Sequence, residues 1–116
     1  MTLIIRYRTR PEAAKENTRL VQAVFDSLAE LRPSDFCYTT YRLADGVSFV
    51  HVARLDGTEN PLATLPAFAD FQRDLAQRCV EQPAPSKATI VGSYASAGSP
   101  LGPATQPIRE DPDARL

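Results

Sequence analysis

One apolar run, VSFVHVARL at residues 47–55, constrains the fold of this chain more than any other stretch. It is rich in β-branched residues and contains the chain's only histidine, His51. An Asp-Gly pair stands on each side of it, at 45–46 and 56–57. Asp-Gly pairs favour tight turns, and a short apolar run between two turns is typical of a buried strand. The run therefore predicts a central strand that carries one titratable ring.

The residues before this run predict a strand followed by a helix. Residues 2–9 alternate between two faces of unequal apolar character, as expected for a strand that is buried more deeply on one side. Thr9 and Glu12 have the spacing of a capping box, and apolar residues then recur at three- and four-residue spacing up to Leu31. We expect this helix to end before Pro33, because the residue preceding a proline is disfavoured in the helical conformation.

The rest of the chain predicts strands over 36–43 and 87–94. Between them it predicts a second helix whose main part starts at Pro66 and continues to Val80. The strand over 36–43 would form a hairpin with the apolar run across the first Asp-Gly turn. Pro83 and Pro85 are expected to end the second helix, since proline has no N–H to continue the helical ladder. The Pro- and Gly-rich residues 96–116 have no hydrophobic period and are expected to be a tail, either disordered or an arm that embraces a partner subunit.

This order of elements is that of a ferredoxin-like βαββαβ fold of the α+β class, formed by residues 1–95. Its two crossovers favour a four-stranded antiparallel sheet with helices on one face and the first and third strands in the centre. The other face would be left open, and an apolar sheet face that is open to water marks an interface. We therefore expect a homodimer in which two open faces pack together around a two-fold axis.

Charge and motif content exclude several classes of partner. Thirteen basic and fourteen acidic residues leave a net charge of -1, so we expect neither nucleic acid nor a membrane as a partner. No apolar run is long enough to span a bilayer, and the early charge at Arg6 argues against a signal peptide. Cys37 and Cys79 lie far apart and outside any metal-ligand spacing. We therefore expect a cytoplasmic protein with both thiols reduced, and we expect no bound metal.

Three stretches of the sequence resemble the dimeric α+β barrel superfamily in its antibiotic-biosynthesis-monooxygenase-like branch. They are LIIRY at 3–7 leading into Pro11-Glu12, FVHVA at 49–53, and NPL…LPAF…F at 60–71. The resemblance covers most of residues 2–94 and implies a dimer with a pocket between sheet and helices. Some members of that superfamily oxidise aromatic polyketides without metal or flavin, and others degrade haem. This chain has no tryptophan near Ala53, and Phe68 or Phe71 stands where haem-degrading members carry a histidine, so no cofactor is expected.

His51 is the candidate catalytic residue, because the ordinary pKa of imidazole is close to neutral and suits a general base. Tyr7 and Tyr38 would bind and orient an aromatic substrate, with Phe68 and Phe71 as further binding residues. The alternative for each of these side chains is ordinary core packing. Two functions therefore stay open: a cofactor-independent monooxygenase or isomerase acting on a small aromatic or polyketide-like molecule, and a non-catalytic homodimeric module that binds a hydrophobic small molecule or partner.

Overall fold

A computed structural model describes residues 1–96, which form a four-stranded antiparallel sheet with helices on one face. The elements in chain order are β1 (Thr2–Thr9), α1 (Ala14–Leu31), β2 (Phe36–Arg42), β3 (Ser48–Leu55), α2 (Pro66–Arg73), α3 (Leu75–Arg78) and β4 (Cys79–Ala88). The strand order is β2-β3-β1-β4, which places β1 and β3 in the centre as predicted. The ferredoxin-like α+β fold expected from the element order is thus confirmed. No helix within residues 1–96 is long and apolar enough to cross a membrane.

The two central strands bury alternate residues against the helices. In β1, Tyr7 is 1% exposed, whereas its neighbours Arg6 and Arg8 point to the open face. In β3, Phe49 and His51 are buried on the helix side together with Ala53. This result settles which face of β3 meets the helices, because side chains two positions apart on a strand share a face.

Helix α1 buries the predicted stripe, but it begins differently from the prediction. Asn17, Val21 and Val24 are buried on that stripe. The capping box expected at Thr9 is wrong, because Thr9 stays in β1, where its backbone N–H and its hydroxyl both donate to the carbonyl of Val47. A short 3-10 turn, Pro11–Ala13, leads into the helix instead.

The β2–β3 hairpin forms at the predicted turn. Gly46 has a φ of 79°, a left-handed conformation that glycine adopts without a steric penalty. The carboxylate of Asp45 accepts hydrogen bonds from the backbone N–H groups of Val47 and Ser48 and from the Ser48 hydroxyl. These bonds stabilise the ionised carboxylate and lower the pKa of Asp45 to about 2.

The predicted extents of the second helix and the last strand are wrong. Helix α2 ends at Arg73, one further turn follows, and β4 starts at Cys79 and contains both Pro83 and Pro85. These prolines were expected to break structure, but β4 is an edge strand, where one side of the backbone needs no ladder hydrogen bond. Register shifts between β1 and β4 accompany this irregular strand.

The segment after β4 is not the predicted strand over 87–94. Its apolar side chains are exposed, with Ile90 at 50%, Val91 at 99% and Tyr94 at 89%. The predicted tail, residues 96–116, lies outside the described residues except for its first residue, and the tail remains a prediction.

Candidate functional site

The five side chains that the sequence singled out lie together between the sheet and the helices. The ring centroid of His51 is 5.3 Å from that of Tyr7, 5.8 Å from that of Tyr38 and 5.4 Å from that of Phe71. Phe68 stacks on Phe71 at 6.0 Å. Strands β1, β2 and β3 supply the first three rings and α2 supplies the two phenylalanines, so the topology of the sheet assembles the cluster.

Both nitrogens of the His51 imidazole have hydrogen-bond partners. Nε2 is 2.8 Å from the hydroxyl oxygen of Tyr7, and Nδ1 is 2.6 Å from that of Tyr38. The hydroxyl of Thr40, which lies directly across from His51 in the β2–β3 register, is 3.1 Å from Nδ1. The imidazole is therefore held on one side by β1 and on the other by β2.

Two further polar residues extend this network, and neither was predicted from the sequence to be functional. The Asn17 amide nitrogen donates to the Tyr7 hydroxyl oxygen at 2.8 Å. Arg78 donates through Nε to the Asn17 side-chain oxygen at 3.0 Å and through Nη2 to the carbonyl of Phe71 at 2.7 Å. Asn17 gave a signal, since it is the polar position on the otherwise apolar stripe of α1. Arg78 gave none, because it stands at a helix end that the sequence placed elsewhere.

The imidazole is enclosed and its direct hydrogen-bond partners are uncharged, whereas the charged guanidinium of Arg78 lies at the far end of the network. His51 is 4% exposed, and burial lowers its pKa to about 4 because the charged ring loses its hydration. Burial also raises the pKa of Tyr7, and it raises that of Tyr38 to about 12. At neutral pH an uncharged imidazole thus stands between two protonated phenols.

Tyr38 and Phe68 are the two members of this five-residue cluster that are not fully buried, and Tyr38 borders open space. It is only partly buried and lines a groove of about 330 Å³ beside the C-terminal half of α1. The ring of Tyr38 stacks on Phe25 at 5.1 Å and on Phe36 at 5.8 Å, and both phenylalanines line the same groove. Arg32 contributes the one charged side chain of this lining. The groove can accept a flat apolar group beside the ring of Tyr38.

Metal-binding side chains do not cluster in the part of the chain that the structure describes. Within residues 1–96 there is no group of three or more His, Cys, Asp or Glu side chains that could hold a metal ion. Cys79 is buried on the helix side of the sheet next to Thr9, whereas Cys37 lies on the open face.

Comparison with known proteins identifies the fold. No protein-family model matches the sequence, and no curated protein matches it. Among solved structures, the chain is similar to Rv0793 from Mycobacterium tuberculosis, with a TM-score of 0.61 and 19% identity over 81% of this chain and 97% of that one. It is also similar to an antibiotic biosynthesis monooxygenase, with a TM-score of 0.58 and 13% identity over 78% of this chain and 98% of the other. The chain has the antibiotic-biosynthesis-monooxygenase-like fold.

A third structure with this fold, a conserved protein from Methanosarcina mazei Go1, matches with a TM-score of 0.57 and 11% identity over 73% of this chain and 86% of that one. The resemblance to the antibiotic-biosynthesis-monooxygenase-like branch that the sequence indicated is thereby confirmed at the level of the fold. Because one fold supports many chemistries, the function of this chain has to be argued from the side chains around His51.

Proposed function

We propose that this chain is a cofactor-independent enzyme that moves protons on a small aromatic or polyketide-like molecule, as a monooxygenase or an isomerase. The observation that supports this proposal is the uncharged imidazole of His51, hydrogen-bonded to two phenols inside a layer of aromatic side chains. A proton can be relayed through a group that accepts at one atom and donates at another, and neutral imidazole has both capacities at its two nitrogens.

We assign the substrate contact to Tyr38 and not to the imidazole itself. Tyr7 and His51 are 1% and 4% exposed, whereas Tyr38 lines the groove beside α1. A substrate ring stacked in this groove would place a polar atom near the Tyr38 hydroxyl, and His51 would exchange protons with it through that hydroxyl. Phe68 and Phe71 do not line this groove; Phe71 packs against the ring of His51 with Phe68 stacked on it, and Tyr7 supports the ring of His51 from the β1 side.

Turnover of a panel of phenols, hydroquinones and aromatic ketones tests the proposal, with oxygen uptake and product formation as the two readouts. Tyr38→Phe and His51→Ala should each lower turnover by about 100-fold or more, the usual range for loss of a proton-transfer group. Tyr41→Phe is the matched control, since Tyr41 lies on the same strand with its side chain on the open face. Equal turnover in the wild type and both cluster variants would rule out the assigned roles.

A second candidate is the non-catalytic homodimeric module, and one observation favours it. Every buried side-chain nitrogen and oxygen within residues 1–96 has a hydrogen-bond partner, and the enclosed imidazole is fully paired. Such saturation is also what a purely structural polar core requires. A module of this kind would gain thermal stability with an aromatic probe such as 1-naphthol and release no product, whereas the enzyme would convert at least one member of the panel.

We also propose that two copies associate through the open face of the sheet. Ile4 and Val52 stand opposite each other at its centre, and with Cys37, Thr39 and Tyr41 they line a depression of about 300 Å³. Ile90 closes one side of this depression and is half exposed. Burying such a face against its copy removes apolar surface from water, which is the main driving force for association.

We propose that the protein functions in the cytoplasm, with the Cys37 thiol reduced at this interface.

A further inference from the structure

The hydrogen bonds that lead to His51 have a fixed direction, and this direction starts at Arg78. A guanidinium group only donates hydrogen bonds and stays protonated in proteins. Because Arg78 Nε donates to the side chain of Asn17, the atom of Asn17 that faces Arg78 must be the amide oxygen. The orientation of this amide is therefore set by a residue 61 positions away.

The orientation of Asn17 in turn decides where the proton of Tyr7 points. With its oxygen committed to Arg78, Asn17 presents its NH₂ group to the Tyr7 hydroxyl oxygen at 2.8 Å. Tyr7 has one proton to donate, and Nε2 of His51 is the acceptor at 2.8 Å. If Nε2 carried a proton as well, two donors would meet at the Tyr7 oxygen and the Tyr7 proton would be left unpaired. Leaving a buried donor unpaired is disfavoured, and we expect a preference of roughly fivefold to more than a hundredfold for the tautomer that pairs it.

We infer that Arg78 and Asn17 are positioning residues that hold His51 in the tautomer with the proton on Nδ1. In this tautomer Nδ1–H donates towards the Tyr38 hydroxyl at 2.6 Å, with the Thr40 hydroxyl at 3.1 Å as a second acceptor. Tyr38 then keeps its own hydroxyl proton for donation. The four hydrogen bonds that connect Arg78, Asn17, Tyr7, His51 and Tyr38 therefore all point in one direction along the network.

The fixed direction of these hydrogen bonds indicates which ligands the site would bind. Its use in catalysis rests on the proposed function. At rest the cluster can give a proton towards the groove but cannot take one, because Nδ1 is already protonated. A ligand that fits this state carries a hydrogen-bond acceptor, such as the carbonyl oxygen of an aromatic ketone. In this contact Tyr38 donates its hydroxyl hydrogen bond to that oxygen, while Nδ1–H of His51 donates to Tyr38 and the Tyr7 hydroxyl donates to Nε2.

The tautomer can be measured directly, without a substrate, from the ¹⁵N chemical shifts of the His51 ring, the chain's only imidazole. We expect the wild type to show a protonated Nδ1 and a bare Nε2. Asn17→Asp should reverse this state. A carboxylate accepts from both Arg78 and Tyr7, so the Tyr7 proton points to the carboxylate instead of to Nε2. Nε2 then carries the ring proton and donates to the Tyr7 oxygen. Thr40→Val is the matched control and should leave the tautomer unchanged.

Two results would overturn the inference. One is a wild-type ring protonated at Nε2, and the other is a folded Asn17→Asp variant with the wild-type tautomer. If Asn17→Asp does not fold, Tyr7→Phe gives the second test. Loss of the phenolic donor should turn the single tautomer into a mixture. An unchanged single tautomer in this variant would contradict the inference. These spectra need no turnover, so the two proposals can fail separately. An unexpected tautomer in an active enzyme would contradict only the inference. The expected tautomer in a protein without turnover would contradict only the proposed function.

Discussion

Nδ1 of His51 lies 2.6 Å from the hydroxyl oxygen of Tyr38, although the strand register pairs Tyr38 with Ala53 and pairs His51 with Thr40. The contact is therefore diagonal across β2 and β3, which long side chains on one sheet face can span. It connects the enclosed imidazole to a cluster residue that lines an open groove. The chemistry proposed for this chain depends on that connection.

Burial of His51 makes the stability of the protein depend on pH in a defined window. The pKa of His51 is about 4 in the folded chain against an ordinary value of 6.5, so between these values the unfolded chain binds more protons. The contribution is fully present above pH 6.5 and is lost as the pH falls towards 4. We expect the free energy of unfolding in urea to drop by about 2 kcal/mol between pH 7 and pH 5.

His51→Gln is the control for this titration, because glutamine is polar but does not ionise. Its free energy of unfolding should be nearly independent of pH over the same interval. Asp45 does not interfere with this measurement. Its pKa is lowered to about 2, so its contribution to the free energy of unfolding is lost only below its ordinary pKa of 3.8. A wild-type slope equal to that of His51→Gln would show that the imidazole is not buried in solution.

Removal of the two phenolic hydroxyls should have unequal effects on stability. Tyr7→Phe leaves the Asn17 N–H and Nε2 of His51 unpaired in the core, and we expect a loss of about 2–3 kcal/mol. Tyr38→Phe should cost about 1 kcal/mol, because the Thr40 hydroxyl still accepts from Nδ1 and the site borders a groove. Urea unfolding of the two variants at pH 7 gives both values. Equal losses would show that the Tyr7 side of the network is less enclosed than its geometry indicates.

Arg78 should be the costliest charged side chain to remove. It is 6% exposed, and it donates to the carbonyl of Phe71 and to the side-chain oxygen of Asn17, both buried. Arg78→Met leaves both acceptors unpaired, so the free energy of unfolding should fall by about 3 kcal/mol. Arg73→Met, five positions earlier, removes an exposed pair with Asp70 and should change it by less than about 0.5 kcal/mol. Similar losses in both variants would contradict the assigned role of Arg78.

The cluster around His51 was partly predictable from sequence because strand parity is a local rule. His51, Phe49 and Ala53 occupy alternate positions of one strand, so their common face followed from spacing alone. The contact between Asn17 and Arg78 was not predictable, since it joins residues that are far apart in sequence and depends on how α3 ends. Pro83 and Pro85 misled for a related reason. Proline is excluded from helices and central strands but tolerated in an edge strand, and edge position is a property of the assembled sheet.

The open face of the sheet should decide the oligomeric state. Val52→Arg places a charge at the centre of that face opposite Ile4, where an interface would bury it without a partner. We expect the wild type to sediment as a dimer at micromolar concentration and this variant to sediment as a monomer with its fold retained. Leu31→Arg is the matched control, because Leu31 is an apolar residue, 52% exposed, at the end of α1, on the other side of the sheet. A wild-type monomer would exclude this association, and a Val52→Arg dimer would place the contact on another surface.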